Sequence, residues 1–200
     1  MILLWTMSIQ QSKQGRGRPI TTDPAEVGLN ALRLFSEQGI DRVTMEQVAA
    51  AAGISRSNLF RVFPSKAAVV WGGMHNFTAE LAKQLETGEA STVVQLLHRS
   101  WVDAMQMADN SLETVRLRLK IIGSSPEVYG WGQGQLDQAR LVLENAVIRF
   151  GGDALRAKAV SAAMLSASVA ILIWWAETDD PRTPSEVLDD GFSDFESLFG

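Results

Sequence analysis

The segment "SRSNLFR", Ser55–Arg61, concentrates side chains whose chemistry is the recognition of nucleic-acid bases. Arg and Asn form paired hydrogen bonds with guanine and adenine in the major groove, and Ser can contact a base or a phosphate. The segment reads as a short helix that buries Ile54, Leu59 and Val62. The polar side chains that then face outward are Arg56, Ser57, Asn58 and Arg61. We therefore predict a surface that enters the major groove of double-stranded DNA.

The surrounding residues have the spacing of two short helices that cross at a steep angle. Within "MEQVAAAAGISRSNLFRV", Met45–Val62, a small residue is needed where the helices approach, and Ala49 supplies it. Four residues later the chain must turn, and Gly53 tolerates the positive φ required there. The apolar anchors expected around these points are Val48, Ala52, Ile54, Leu59 and Val62. The alternative is an alanine-rich hairpin that only packs, and the polar outer face argues against it.

A basic arm precedes these helices in a chain that is acidic as a whole. "KQGRGRPI", Lys13–Ile20, carries three cations, whereas the chain has a net charge of −5 and a pI near 5.1. Up to Lys66 there are eight Lys/Arg against five Asp/Glu, and beyond it ten against eighteen. Arg16 and Arg18 in "RGRP" could follow the negative potential of the minor groove, with Gly17 allowing close approach. A basic tail with no groove preference is the alternative.

Helical periodicity extends over nearly the whole chain, and strand alternation is absent, so an all-α fold is predicted. Asp23 and Pro24 begin a first helix that runs to Gln38, and Gly39 ends it. Thr44 and Ser55 are the N-caps of the two short helices. A long helix is predicted from Ser65 to about Gly88, weakened locally at Gly72 and Gly73. Further helices are predicted over Thr92–Met107, Leu112–Ile122, Leu136–Phe150 and Ala154–Glu177, with a last short one from Pro184.

Two stretches in the second half are harder to assign. "GSSPEVYGWGQGQ" after Ile122 reads as a loop or a broken helix. Ala159–Ala176 has 18 residues without a charge, which approaches the length of a membrane span. Its serines and alanines instead favour a helix buried within the chain and against a partner subunit. We predict no membrane association.

The arm, the capped first helix, "TMEQVAAAAGIS" and "LFRVFPSK" resemble the tetracycline-repressor (TetR) family. The resemblance implies a flexible arm over residues 1–22, a DNA-binding domain over 23–66 and a ligand-binding and dimerisation domain over 67–200. It implies a phosphate contact for Thr44 and Lys66. The groove contacts it implies are Ser55, Arg56, Ser57, Asn58 and Arg61. Phe60 stands where the family usually has tyrosine, so only a packing or van der Waals contact is expected of it.

The remainder of the chain has many bulky apolar residues, most of which must form a core. A cavity between helices is nevertheless where an apolar or amphipathic effector would bind. The candidate lining residues are Trp71, His75, Trp101, Met105, Tyr129, Trp131 and Met164. "FPSK" followed by "VVWGGM" also resembles a TetR branch that governs mycofactocin-related genes and responds to acyl-coenzyme A. Acyl-coenzyme A is therefore one candidate effector.

The resemblance also implies a homodimer, expected through Leu136–Phe150 and Ala154–Glu177. The two recognition helices would then lie about 34 Å apart, or more, on a palindromic operator. The expected function is a repressor that an effector releases from DNA, and a transcriptional activator is the alternative that the sequence leaves open. An all-helical carrier or enzyme whose helix-turn-helix only packs is the alternative. An architectural protein would bind DNA without sequence preference, which the acidic bulk disfavours.

Catalytic and metal-binding patterns are absent from the sequence. His75 and His98 lie in no acid–base or metal-binding motif, and "GWGQGQ" misses the dinucleotide-binding spacing. The chain has no cysteine, which excludes disulfides and suits a reducing cytoplasm. "MILLWTM" is too short and lacks the basic start of a secretory signal, and Met7 is an alternative start. We predict a cytoplasmic protein with no enzymatic activity, cofactor or metal.

Overall fold

The structure is a computed structural model, and it confirms the all-α prediction. It describes the backbone of residues 23–199 and the side chains of residues 23–194. No strand occurs within that range. The helices are α1 (Pro24–Gln38), α2 (Met45–Ala51), α3 (Arg56–Val62), α4 (Lys66–Val70), α5 (Met74–Thr87), α6 (Val93–Asp109), α7 (Leu112–Ser124), α8 (Pro126–Trp131), α9 (Gln133–Arg149), α10 (Ala154–Glu177) and α11 (Pro184–Phe199).

The first three helices begin at the predicted residues, and the first also ends where predicted. The Asp23 carboxylate accepts a hydrogen bond from the Ala25 N–H at 2.9 Å, and Pro24 is the first residue of α1. Gly39 ends α1 with φ +84°, and Gly53 makes the turn between α2 and α3 with φ +65°. Local capping chemistry therefore sets these boundaries.

A shared core holds α1, α2 and α3 together. Leu32, Val48 and Leu59 are fully buried, one from each helix. The expectation that Val62 is a buried anchor is wrong, because its side chain is 37% exposed. Phe63 is the buried residue instead. The chain leaves the helix at Phe63 with extended φ and ψ, which directs its ring toward α1.

The long helix predicted between Ser65 and Gly88 is two helices. It is interrupted after Val70, and α5 starts only at Met74. Gly73 has φ +95°, a left-handed conformation that an α-helix cannot contain, so the two glycines interrupt the helix and do not merely weaken it.

The stretch after Ile122, predicted as a loop or a broken helix, contains the short helix α8 and so agrees with the second alternative. Two helices differ from the prediction, and the first is α9, which begins at Gln133, ahead of the predicted Leu136. The helix from Pro184 has 16 residues and is not short. It packs against α6 and α10 and buries Leu188 and Phe192 in the core. These contacts are tertiary, which is why local sequence signals did not reveal the helix length.

Helix α10 is the longest of the helices in the described range. Its length and apolar composition would allow it to span a membrane, and no other helix within residues 23–199 has both properties. One side of α10 packs against α7, α9 and α11. The opposite side is exposed and carries Leu155, Ala159, Ala163, Ser166, Ala170 and Trp174.

One continuous core joins α1, α2 and α3 to the rest of the chain. Leu32 and Leu59 belong to the same buried cluster as Trp71, Ile121 and Val128. The predicted domain division after residue 66 stays a prediction, and this cluster extends to both sides of it. A second cluster, built mainly from α5, α6, α9, α10 and α11, fills the larger part of the molecule.

An ion pair reinforces the contact between α1 and α7. Arg33 donates two hydrogen bonds to the Glu113 carboxylate, at 2.6 and 2.7 Å. These bonds, together with the charge of Arg33, hold the pKa of Glu113 below its usual value. The same pair raises the pKa of Arg33. This pair therefore couples the position of α1 directly to that of α7.

Candidate nucleic-acid interface

Helix α3 is fixed to the protein by one side and exposes the other. Leu59 is fully buried beneath it, and Ile54 packs partly buried just before it. The outward side chains are Arg56, Ser57, Asn58, Phe60 and Arg61, and all five are exposed. The structure thus brings the predicted groove-contacting residues together on one accessible face.

The first turn of α3 is organised by its serines. Ser55 is the N-cap, and its hydroxyl accepts a hydrogen bond from the Asn58 N–H at 3.2 Å. The hydroxyls of Ser55 and Ser57 lie 3.1 Å apart, within hydrogen-bond distance. These contacts hold the polar turn in place, while Asn58 remains exposed.

The two arginines of α3 have different surroundings. Arg56 forms an exposed ion pair with Glu46 of α2, Nε to Oε1 3.0 Å, and its guanidinium lies 5.3 Å from the centre of the Phe60 ring. Within the described part of the chain Arg61 has no ion-pair partner. Of the two predicted groove-contacting arginines, Arg56 is therefore paired with an acidic side chain and Arg61 is not. Glu46 was not among the predicted residues, because its contact with Arg56 depends on how α2 and α3 cross.

Thr44 and Lys66 lie at the starts of α2 and α4. The Thr44 hydroxyl and the Gln47 side chain form a reciprocal capping box. Lys66 donates a hydrogen bond to the Ile40 carbonyl at 2.6 Å. A hydroxyl and an ammonium group each retain a donor beyond these bonds, so both can still reach a phosphate. Arg16 and Arg18, the predicted arm residues, lie outside the described residues.

The seven predicted effector residues do not form one group. Trp101, Met105 and Met164 are buried in the second cluster, where the Trp101 ring packs 5.4 Å from that of Phe77. Trp71 is buried in the first cluster and donates a hydrogen bond to the Val128 carbonyl at 2.8 Å. The remaining three are exposed: His75, Tyr129 and Trp131. Their role in effector binding stays a prediction.

Two buried polar atoms, on α6 and α7, lack hydrogen-bond partners. Among the described residues, Trp101 Nε1 and Arg118 Nε are shielded from solvent without a hydrogen bond. Such groups are costly in a folded protein unless a ligand or water satisfies them. No group of three His, Cys, Asp or Glu side chains in residues 23–194 is placed to hold a metal ion.

A shallow groove of about 320 Å³ lies on the surface between α10 and α11. It contains none of the seven predicted effector residues. It is lined by Ala170, Ile171, Trp174, Arg182, Val187, Asp190 and Gly191. Because Ala170 and Trp174 belong to the exposed side of α10, the groove continues that surface.

Comparison with known families and relatives identifies both halves of the chain. Residues 30–70 match the family described as bacterial regulatory proteins, tetR family, and residues 91–200 match the MftR C-terminal domain. A Mycobacterium tuberculosis (strain H37Rv) protein assigned as the mycofactocin biosynthesis transcriptional regulator MftR is 31% identical over 144 residues. That match covers 71% of each chain.

Solved structures share the fold. The fatty acid degradation regulator FadR from Bacillus halodurans has a TM-score of 0.62 at 14% identity, over 86% of this chain and 96% of that one. Thermus thermophilus FadR, a repressor solved in complex with lauroyl-CoA, has a TM-score of 0.55 at 16% identity. It covers 86% of this chain and 92% of its own. At these identities the likeness concerns the fold alone.

Proposed function

Because this chain belongs to the tetR family of bacterial regulatory proteins and carries an MftR C-terminal domain, we propose that it is an effector-responsive repressor. It binds a palindromic DNA operator as a homodimer, and an apolar or amphipathic effector releases it. The observation that carries the proposal is the outward face of α3, where Asn58 and Arg61 are exposed above a fully buried Leu59. As a regulator of this kind, it acts in the cytoplasm and without catalytic activity.

Binding to duplexes from the promoter of its own gene tests the DNA-binding face. Asn58→Ala and Arg61→Ala should each weaken binding of the preferred duplex by about 1–3 kcal/mol and relax its sequence preference. Lys66→Ala should weaken all sequences alike and reduce the slope of log K against log salt by about 0.9. The matched control is Arg99→Ala, an exposed arginine on α6. Equal affinities for all four variants and the wild type would contradict the assignment of this face.

The dimer is proposed to form through α9 and α10. Large apolar side chains are exposed on both helices and at the turn between them, where a monomer rarely places several. They are Leu141, Ile148, Phe150, Leu155 and Trp174. The small residues between Leu155 and Trp174 allow a second α10 to approach closely, as helix packing requires.

A charge on the exposed side of α10 tests this interface. Ala163→Arg should convert the dimer to a monomer in sedimentation analysis and abolish tight operator binding, because one half-site contributes only part of the affinity. The control is Ala79→Arg on α5, also at an exposed alanine. A dimeric Ala163→Arg protein would place the interface elsewhere.

The effector is proposed to bind within the second cluster, near Trp101. The unpartnered indole N–H of Trp101 can donate a hydrogen bond to a carbonyl oxygen of a ligand that apolar side chains surround. The FadR relative bound to lauroyl-CoA makes an acyl-CoA the first candidate. Trp101→Phe keeps an aromatic ring but removes the donor, and should weaken effector binding about 5- to 20-fold.

Measuring operator affinity with and without lauroyl-CoA decides whether the effector induces or corepresses. Weaker DNA binding would indicate induction, and tighter DNA binding would indicate corepression.

A further inference from the structure

Arg118 is a partly buried cation that the DNA-binding function leaves unexplained. It lies on α7 between Leu117, which packs against the first cluster, and Leu119, which packs against the second. Its Nε atom is shielded from solvent and has no hydrogen-bond partner. No acidic side chain within residues 23–194 pairs with its guanidinium. Burial lowers the pKa of Arg118, yet an arginine remains protonated.

The guanidinium lies against the interruption between α4 and α5. A Cβ atom added at Gly72 would lie 3.2 Å from Arg118 Nη2, and one added at Gly73 would lie 3.2 Å from Nη1. Two successive glycines therefore leave room for this group. The first turn of α5 also has no side-chain cap, so its free N–H groups begin beside Arg118.

We propose that Arg118 binds the anionic group of the effector, a carboxylate or a phosphate. The inference rests on the proposed effector response and specifies its chemistry. A partly buried guanidinium without an acidic partner is stabilised by an oxyanion, which can accept two hydrogen bonds from it. The apolar part of such a ligand would extend toward Trp101, because Arg118 lies where the two apolar clusters meet.

This position connects the anion to the DNA-binding helices. Helix α4 ends at the interruption and packs against α1, and α7 carries Arg118 and contacts α1 through Glu113. An anion held between α7 and the interruption would favour one arrangement of α4 over another. Only such a preference can change DNA affinity.

A purely structural role for Arg118 is the competing explanation. The Cβ position at Gly72 that lies near Nη2 is also 3.1 Å from the Val69 carbonyl oxygen. Arg118 could therefore act as a cation at the carboxyl end of α4. In that case its removal would destabilise the protein and would not change the affinity for an anion specifically.

Binding of three matched probes separates the two explanations. Laurate has a carboxylate, lauroyl-CoA has phosphates, and methyl laurate has the same chain without a charge. Arg118→Gln should weaken laurate or lauroyl-CoA binding roughly 10- to 100-fold by calorimetry, whereas methyl laurate is unchanged. Arg118→Lys should retain most of the affinity. A loss confined to laurate identifies a carboxylate site, and a loss confined to lauroyl-CoA identifies a phosphate site.

Inorganic phosphate provides a test that does not depend on the acyl chain. Phosphate should raise the Tm of the wild type and of the control Arg99→Gln relative to chloride at equal ionic strength, and should not raise that of Arg118→Gln. Equal responses in all three proteins, with equal laurate and lauroyl-CoA affinities, overturn the anion site. If Arg118→Gln weakens methyl laurate binding as much as laurate binding, the anion site is overturned as well. If the anions bind through Arg118 but never alter operator affinity, the site stands and the effector-responsive function fails.

Discussion

Gly132 occupies the point where α8 meets α9, and an alanine there should be costly. A Cβ atom at this position would lie 2.0 Å from Trp71 Cε2 and 2.1 Å from Cζ2. The backbone at Gly132 is right-handed, with φ −78° and ψ −8°, which alanine adopts readily. The penalty of Gly132→Ala is therefore steric, and its nearest conflict is with the Trp71 ring.

The size of the stability loss follows from the contacts that Trp71 would lose. Moving its 7% exposed ring within the core costs about 1–3 kcal/mol as an overpacking effect. Displacement also breaks the 2.8 Å hydrogen bond from Trp71 Nε1 to the Val128 carbonyl, at a further cost of about 1 kcal/mol. We expect Gly132→Ala to destabilise the protein by about 2–4 kcal/mol, or roughly 5–15 °C in Tm for a chain of this size.

Thermal and urea unfolding of matched variants test the reasoning. Gly134→Ala is the control, because a Cβ at that position on α9 meets nothing within 4 Å and should be neutral or stabilising by up to about 1 kcal/mol. Trp71→Phe removes the ring atoms in conflict, so the double variant should show much of the Gly132→Ala penalty relieved. Equal Tm values for the Gly132→Ala and Gly134→Ala proteins would refute the placement of Trp71 against α8 and α9.

Three further predictions concern the DNA-binding helices and their contact with α7. Glu46→Gln should strengthen DNA binding roughly two- to fivefold in fluorescence anisotropy, because it removes a carboxylate that competes with phosphate for Arg56. Leu59→Ala should cost about 2–5 kcal/mol in urea unfolding and reduce DNA binding, whereas Val62→Ala, at an exposed site, should change stability by less than about 0.5 kcal/mol. Because Arg33 lowers the pKa of Glu113, the pair stabilises the fold above the unfolded pKa of about 4.3 and loses that contribution as the pH falls through the lower folded value. The Tm difference between wild type and Glu113→Gln should shrink correspondingly below pH 4, and a constant difference down to pH 3 would refute it.

Local chemistry determined the parts of this fold that the sequence revealed. Asp23, Thr44 and Ser55 cap their helices within three residues, and Gly39 and Gly53 take positive φ where the chain turns. These interactions depend on neighbours in sequence, so their outcome is fixed by residue type and spacing. The outward face of α3 followed from the same periodicity, and of the residues expected to face inward only Val62 was misplaced.

The tertiary structure decided what depends on residues distant in sequence. Glu46 pairs with Arg56 because of the angle between α2 and α3, and α11 extends to 16 residues because α6 and α10 cover one of its sides. The seven predicted effector residues share aromatic or apolar character, but packing divides them between two clusters and the surface. The shielded Nε atom of Arg118 is invisible in sequence, since both arginines within "VRLRLK" resemble exposed charges. The packing of α7 against the Gly72–Gly73 interruption shields this atom, because burial depends on which helices come together and not on local spacing.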